Sequence, residues 1–322
     1  MFKLERVEQS YGGRVQMEDV LEVSQEVRLA LNRNEAVVAL ESSVIAHGLP
    51  KEFRLIAARA MEDAVRDKGA VPAMVGVIGG KLKVGLSREE VEILAAGETE
   101  KVTVRDIPLA IARSLHGGTT VSATIRIAVP LGIVVMSTGG IGGVHLGDPY
   151  DVSVDLWEMT RTPAVVVCSG VKSIADARAT LEWLETHGVP VYGYQSDELA
   201  GFYERSAGLN VPRLDSPEDL ANVLRAAVAS VGRHCATVVS VPVPEQHQIA
   251  VGEYVERALC EAREKGIAGK ALTPFLLGRI AELTDGLATK ANLALLANNA
   301  RVAAEIAVVL SQESRRRMGF LV

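Results

Sequence analysis

Lys172 closes the segment Cys168-Ser169-Gly170-Val171-Lys172, directly after the apolar β-branched run Ala164–Cys168. A lysine at the end of a buried strand sits in low dielectric, which disfavours the ammonium. It can then act as an amine that attacks a sugar or aldehyde carbon and forms a Schiff base. The competing reading is a side chain that snorkels to solvent. Glu41 poses the same choice: it follows the run Ala36–Leu40, and a carboxylate there either donates a proton inside a crevice or only caps Ser43 and its neighbours. Asp151 and Asp155 lie four apart, so a helix starting at the first would turn both carboxylates one way, a pair suited to Mg²⁺ or Mn²⁺. The alternative is that Asp151 caps the helix and complements its dipole.

Two glycine-rich stretches add possible anion sites. Gly139–Gly143 follows the run Ile133–Ser137 and Thr138, while Gly117-Gly118-Thr119-Thr120 opens the expected helix Val121–Ala128. Glycines let backbone N–H groups approach an anion and permit positive φ, and a helix N-terminus with hydroxyls can hold phosphate. Neither stretch is a G-x-x-x-x-G-K-[ST] or a clean G-x-G-x-x-G, so a tight turn and a Thr120 cap stay open beside the functional readings. Zinc is disfavoured, because there is no H-E-x-x-H, the cysteines form no C-x-x-C pair and the six histidines are scattered. His145 is the histidine placed where it could approach a cation.

These residues need a scaffold that brings strand ends together. Short apolar runs, Ala36–Leu40, Ala73–Val77, Ile133–Ser137, Ala164–Cys168, Val189–Gly193 and Thr237–Val241, alternate with stretches of i, i+3, i+4 apolar spacing at Leu55–Lys68, Ile174–His187, Ser216–Ser230 and Val251–Lys265, and a long Ala-rich helix, Ala291–Gln312, follows. Gly69 and Gly188 stand at helix C′ positions. The pattern predicts an α/β protein, a three-layer α/β/α sandwich around a mostly parallel or mixed central sheet, in which ligands bind at the carboxyl ends of the strands. No linker interrupts it, so residues 1–322 are expected to form a single catalytic domain with 1–25 and 313–322 as peripheral termini.

The composition sets the bounds. With 48% hydrophobic residues and only 4% aromatics, the core is built from Ala, Val, Leu and Ile, and disorder, collagen and coiled coil are excluded. Lys plus Arg is 34 against 40 for Asp plus Glu, a net charge of −6, which argues against a nucleic-acid polymer as partner and leaves a small phosphorylated ligand open. Three cysteines, Cys168, Cys235 and Cys260, suggest no disulfide framework, and there is neither an apolar leader nor a run of about 18 apolar residues. The expectation is a cytoplasmic protein without a membrane partner.

Taken in order, several blocks resemble the pseudouridine-5′-phosphate glycosidases, also called the indigoidine-synthase-A-like family. The matching stretches are Val38 to Gly48, Ile78 to Leu86, Thr138 to His145, Cys168 to Ser173, and Gly269-Lys270 with Thr273 to Leu277, spread between Glu26 and Val309. The resemblance implies an α/β/α homotrimer with one Mn²⁺ per subunit. It would reversibly split the C–C glycosidic bond of pseudouridine 5′-phosphate into uracil and ribose 5-phosphate. By position, it makes Lys172 the nucleophile that forms an imine at C1′, Glu41 the proton donor and Asp151 the manganese ligand, acting through waters. Lys101, Val121, Ser153, Val154, Asp155 and Asn292 would contact the substrate, and Thr138 and His145 would fall on the phosphate-side loop.

The chain departs from the family pattern at several points. Arg54 stands where an asparagine is usual, Leu146 replaces an arginine, the stretch from His145 to Asp151 is two residues short, Ser240 lies in a changed Val239-Ser240-Val241-Pro242, and Ala200-Gly201-Phe202 replaces Pro-Ala-Phe. These changes leave Lys172, Glu41 and Asp151 untouched, and the altered Arg54, Leu146 and Ser240 positions raise an alternative, a C-glycosynthase joining ribose 5-phosphate to a non-uracil aromatic acceptor. A third reading, a non-catalytic sensor of sugar phosphates, is disfavoured by the intact Lys172, Glu41 and Asp151.

Overall fold

The computed structural model describes residues 17–146, 148–267 and 272–319. Residues 1–16 of the expected N-terminal periphery and Gly269-Lys270 of the family resemblance lie outside the described residues. The main sheet runs, from one edge to the other, through Leu21–Val23, Lys81–Val84, Val71–Ile78, Val37–Glu41, Val135–Ser137, Val165–Cys168, Thr237–Ser240, Val191–Tyr194 and Arg213–Leu214. All pairings from Val71–Ile78 to Arg213–Leu214 are parallel, whereas Lys81–Val84 pairs antiparallel with Val71–Ile78. The sheet is therefore mixed, with a parallel centre.

Side chains alternate across it. Val38, Leu40, Val165, Val167 and Val239 face one apolar layer together with residues of the helices Lys51–Arg66, Pro217–Ser230, Gly252–Glu264 and Leu287–Gly319. Val37, Ala39, Val166, Cys168 and Val238 face the other, with residues of Gln25–Asn32, Val121–Ala128, Val154–Met159 and Ala177–Thr186. A strand apolar on both faces needs cover on both, and these two helical layers supply it. The three-layer expectation holds.

The six runs expected as strands and the six expected helices are all present, with shifts of one to four residues at most ends. The C-terminal helix begins earlier and ends later, at Leu287–Gly319, and Leu21–Val23 is an edge strand rather than loose periphery. Within that helix, Leu287–Glu313 is long and apolar enough to cross a membrane. Half of its most apolar 18-residue window is buried inside the protein, where it packs on Lys51–Arg66 and on the central strands, so it is a core helix. Gly69 and Gly188 have φ of 77° and 72°, as helix C′ glycines should.

The chain order fixes where a cleft can open. From Val37–Glu41 the chain adds Val71–Ile78 on one side, then returns to place Val135–Ser137 and Val165–Cys168 on the other. The order reverses between Val37–Glu41 and Val135–Ser137, and in open α/β sheets the crevice outside the carboxyl ends at such a reversal is where ligands bind.

Candidate active site

Leu40 pairs with Ser137, and Ser137 with Val167, so the next residues, Glu41, Thr138 and Cys168, emerge side by side at the switch point. Glu41 is 1% exposed, and both its oxygens are engaged. Oε2 accepts from the Ser43 hydroxyl at 2.7 Å, and Oε1 accepts from the Thr138 hydroxyl. A buried carboxylate costs little only when it is hydrogen-bonded in this way, and the same two bonds fix its direction.

Lys172 is aimed by a different device. After the strand Val165–Cys168 the backbone turns at Gly170, whose φ is 76° and where a Cβ would come within 2.0 Å of the Ala200 carbonyl oxygen. Only glycine fits there. Beyond the turn, Val171 bridges to Ile141, the Lys172 N–H donates to the Ile141 carbonyl at 3.0 Å, and the Ala175 N–H donates to the Lys172 carbonyl at 2.9 Å. The loop carrying the lysine is thus zipped onto the glycine-rich loop. Beneath it Cys168 is inert, because burial pushes its thiol up to about 12.

The glycine-rich loop itself works otherwise than its composition suggests. None of Gly139, Gly140, Gly142 and Gly143 has a positive φ. They are small because neighbours press close: a Cβ on Gly140 would lie 2.6 Å from the Phe202 ring, on Gly142 2.2 Å from Ser153 Oγ, and on Gly143 2.3 Å from Thr180 Oγ1. The loop is a packed hub rather than an open nest, and the Gly142 N–H is taken by Asp155 Oδ2 at 3.2 Å.

Asn299, wholly buried in the C-terminal helix, ties the two loops together. Its Nδ2 donates to the Thr138 carbonyl at 2.9 Å and contacts Ser169 Oγ at 3.0 Å, and Ser169 Oγ lies 3.2 Å from its Oδ1. Seven residues earlier on the same helical stripe stands Asn292, with Leu295 and Leu296 between them packed against Gly139. Asn292 is among the expected residues; Asn299 is not, and its signal is this i, i+7 spacing of amides in an apolar stripe.

Two lobes of one cleft meet at Lys101 and Lys172, which line both. The first lobe adds Glu41, His47, Asn292, Phe202, Pro274 and Leu277; the second adds Thr120, Gly142, His145, Ser153 and Asp155. Thr138 supports the floor through Glu41. Val121 is fully buried in the core, and neither it nor Val154 lines either lobe, so the structure does not bring these two expected contacts to the cleft.

The expected pairing of Asp151 with Asp155 is not formed, because the chain is a strand through Asp148–Val152 and the helix starts only after Ser153. Asp155 is buried and accepts from the Ser122 N–H at 2.9 Å and from Gly142. It does the capping at the start of Val121–Ala128 that Thr120 was expected to do; the Thr120 side chain makes no cap bond and instead pairs with Ser122 Oγ at 2.9 Å. Asp151 stays half-exposed beside the second lobe, its Oδ1 3.3 Å from His145 Nδ1. Among the described residues no three His, Cys, Asp or Glu side chains converge on a point. A lone carboxylate of this kind does not build a protein cage but does fit a hard cation that keeps most of its waters.

His47 is a further lining residue, one that composition alone gives no reason to choose. Its Nε2 is buried without a partner, as is Asn292 Oδ1. Burial pushes the imidazole below the usual histidine range, and the Arg54 and Lys101 cations push the same way, against a hydrogen bond to the Glu100 backbone.

The family model described as indigoidine synthase A like protein matches residues 26–309. This chain belongs to the indigoidine synthase A-like family. Within the family, it is 48% identical over 306 residues to a pseudouridine-5′-phosphate glycosidase of Symbiobacterium thermophilum, covering 91% of this chain and 99% of that protein. A Clostridium botulinum protein of the same name is 44% identical, covering 92% and 99%. Among solved structures, an indigoidine synthase A-like protein of Thermotoga maritima superposes with a TM-score of 0.83 at 39% identity, covering 91% of this chain and 97% of that one. The prealnumycin C-glycosynthase AlnA, solved in complex with ribulose 5-phosphate, does so at 0.83 and 40%, covering 92% and 99%.

Proposed function

We propose that this chain is a pseudouridine-5′-phosphate glycosidase, splitting pseudouridine 5′-phosphate reversibly into uracil and ribose 5-phosphate. The observation that carries the reading is the junction of the two lobes: Lys172 stands between a buried, doubly hydrogen-bonded carboxylic residue and a lobe of hydroxyls and Lys101 suited to a sugar phosphate. In the proposed reaction the Lys172 amine bonds C1′ as the ribose ring opens. Glu41 gives its proton to the base carbon bonded to C1′. The C–C bond then breaks, its electron pair returns to the uracil ring, and the lysine nitrogen takes up the deficit at C1′ as an iminium. Water adds to that carbon, its proton returns to Glu41, ribose 5-phosphate leaves, and the amine is restored. Thr120, Ser153, His145 and Lys101 would hold the phosphate end, so that its binding energy fixes the open-chain sugar.

Mn²⁺, one per subunit, would sit at Asp151 through waters and supply positive charge beside this lobe. A homotrimer working in the cytoplasm belongs to the same reading. The C-glycosynthase alternative rested on Arg54, Leu146 and Ser240, and none of these lines the cleft. Arg54 donates to the Leu49 and Ala95 carbonyls at 2.9 and 3.0 Å, Leu146 packs on the core, and Ser240 Oγ accepts from the Ala200 N–H at 2.8 Å. With these departures turned away from the ligand, uracil is the favoured base.

The test is incubation with Mn²⁺ and pseudouridine 5′-phosphate, chromatographic detection of uracil, then borohydride reduction and peptide mapping. Uracil release with a reduced ribose-phosphate adduct on Lys172 is expected. An adduct from ribose 5-phosphate alone, with pseudouridine 5′-phosphate left intact, would overturn the choice of base.

A further inference from the structure

His47 lies in the first lobe, the one away from the hydroxyl-lined phosphate end, beside Glu41 and the apolar surfaces of Phe202, Pro274 and Leu277. Its ring bonds the Glu100 backbone carbonyl while Nε2 is buried and unpartnered, which assigns the proton to Nδ1 and the lone pair to Nε2. A second acceptor atom, Asn292 Oδ1, is orphaned in the same lobe. Two buried acceptors without donors are costly in a folded protein unless a ligand supplies N–H groups.

We propose that His47 reads the leaving base, its Nε2 accepting a hydrogen bond from a ring N–H of the aglycone. Resting on the glycosidase reading above, this defines the class of base the site takes: a flat heterocycle with ring N–H groups, in preference to N-alkylated or carbocyclic rings. The contact also assists the chemistry. When Glu41 protonates the ring carbon, electron density is drawn from the conjugated ring nitrogen, its N–H becomes more acidic, and a hydrogen bond to Nε2 strengthens in the transition state. His47 is then a specificity residue that acts on bond cleavage, and it has no part in imine formation from the free sugar.

The experiment compares kcat/KM for pseudouridine 5′-phosphate with that for its N-methylated forms on the unaltered protein, and then examines His47→Phe and His47→Gln. Methylation of the N–H that faces His47, and the His47→Phe change, should each lower kcat/KM roughly 10- to 100-fold, the effect of one unpaired buried acceptor or donor. Gln, which restores an acceptor oxygen, should recover part of the loss. Borohydride trapping of ribose 5-phosphate on Lys172 should proceed in His47→Phe as in the parent. Equal kcat/KM for parent and methylated substrates, or loss of trapping and turnover together in His47→Phe, would overturn the assignment while leaving the glycosidase reading in place. An unaltered protein that traps ribose 5-phosphate but never releases uracil would overturn both.

Discussion

The floor of the cleft and its wall are built on opposite principles. On the floor the carboxylates and the tying amide are engaged: both Glu41 oxygens accept hydrogen bonds from hydroxyls, Asp155 holds two backbone N–H groups, and Asn299 ties Thr138 to Ser169. On the wall formed by His47, Asn292, Pro274 and Leu277, two buried acceptors have no partner at all. A saturated network holds reacting groups in one geometry, whereas an unsaturated one is completed only by the ligand that fits it. Geometry for the sugar is thus built into the protein, and selectivity for the base is left to the bound state.

The largest break in this contrast is made at the floor. Lys172→Ala should abolish the borohydride-trapped adduct and all uracil release while the circular dichroism spectrum stays native; retained adduct on another residue would reassign the nucleophile. Glu41→Gln comes next, since it keeps the shape and the two hydroxyl partners but removes the transferable proton. A fall in kcat of about 10²–10⁴-fold with KM little changed is expected from single-turnover kinetics. Equal losses in substrate binding and in cleavage would mean that Glu41 only positions its neighbours.

The smallest effect belongs to Arg54→Asn, behind the wall. Arg54 bonds the Leu49 and Ala95 carbonyls, so stability should drop by about 1–3 kcal/mol in a denaturant melt. Its charge is one cause that depresses the His47 imidazole, after burial. Removing it lets the imidazole protonate at a higher pH, and a protonated Nε2 donates instead of accepting. The acid limb of kcat/KM should therefore move to higher pH by a fraction of a unit, with ribose 5-phosphate trapping unchanged. A shift to lower pH would break the link between Arg54 and His47.

Much of the floor is legible from local pattern alone. A β-branched run followed by Glu41, by Thr138 or by Ser169 to Lys172 announces a strand end, and the reversal of strand order puts those ends together. What escapes is whatever depends on packing between distant elements. The glycines of Gly139–Gly143 read as anion binders, but their smallness answers to Phe202, Ser153 and Thr180, which no spacing rule connects to them. Asp151 and Asp155 read as a pair because four residues match a helical turn, and the intervening strand breaks that assumption. The Lys81–Val84 strand had its own signal, alternating residues after Gly79-Gly80, whose φ values of 55° and 79° make the tight hairpin turn.

The Asn299 contacts reach across 161 residues to Thr138 and 130 to Ser169. During synthesis this tie therefore cannot form until the helix that carries Asn299 has been made and has docked. A nascent chain that has already made Glu41 and Lys172 can hold the lysine's loop by the Gly170 turn and the Val171–Ile141 bridge, and the tie that locks this loop to Thr138 comes only when the helix of Asn299 packs.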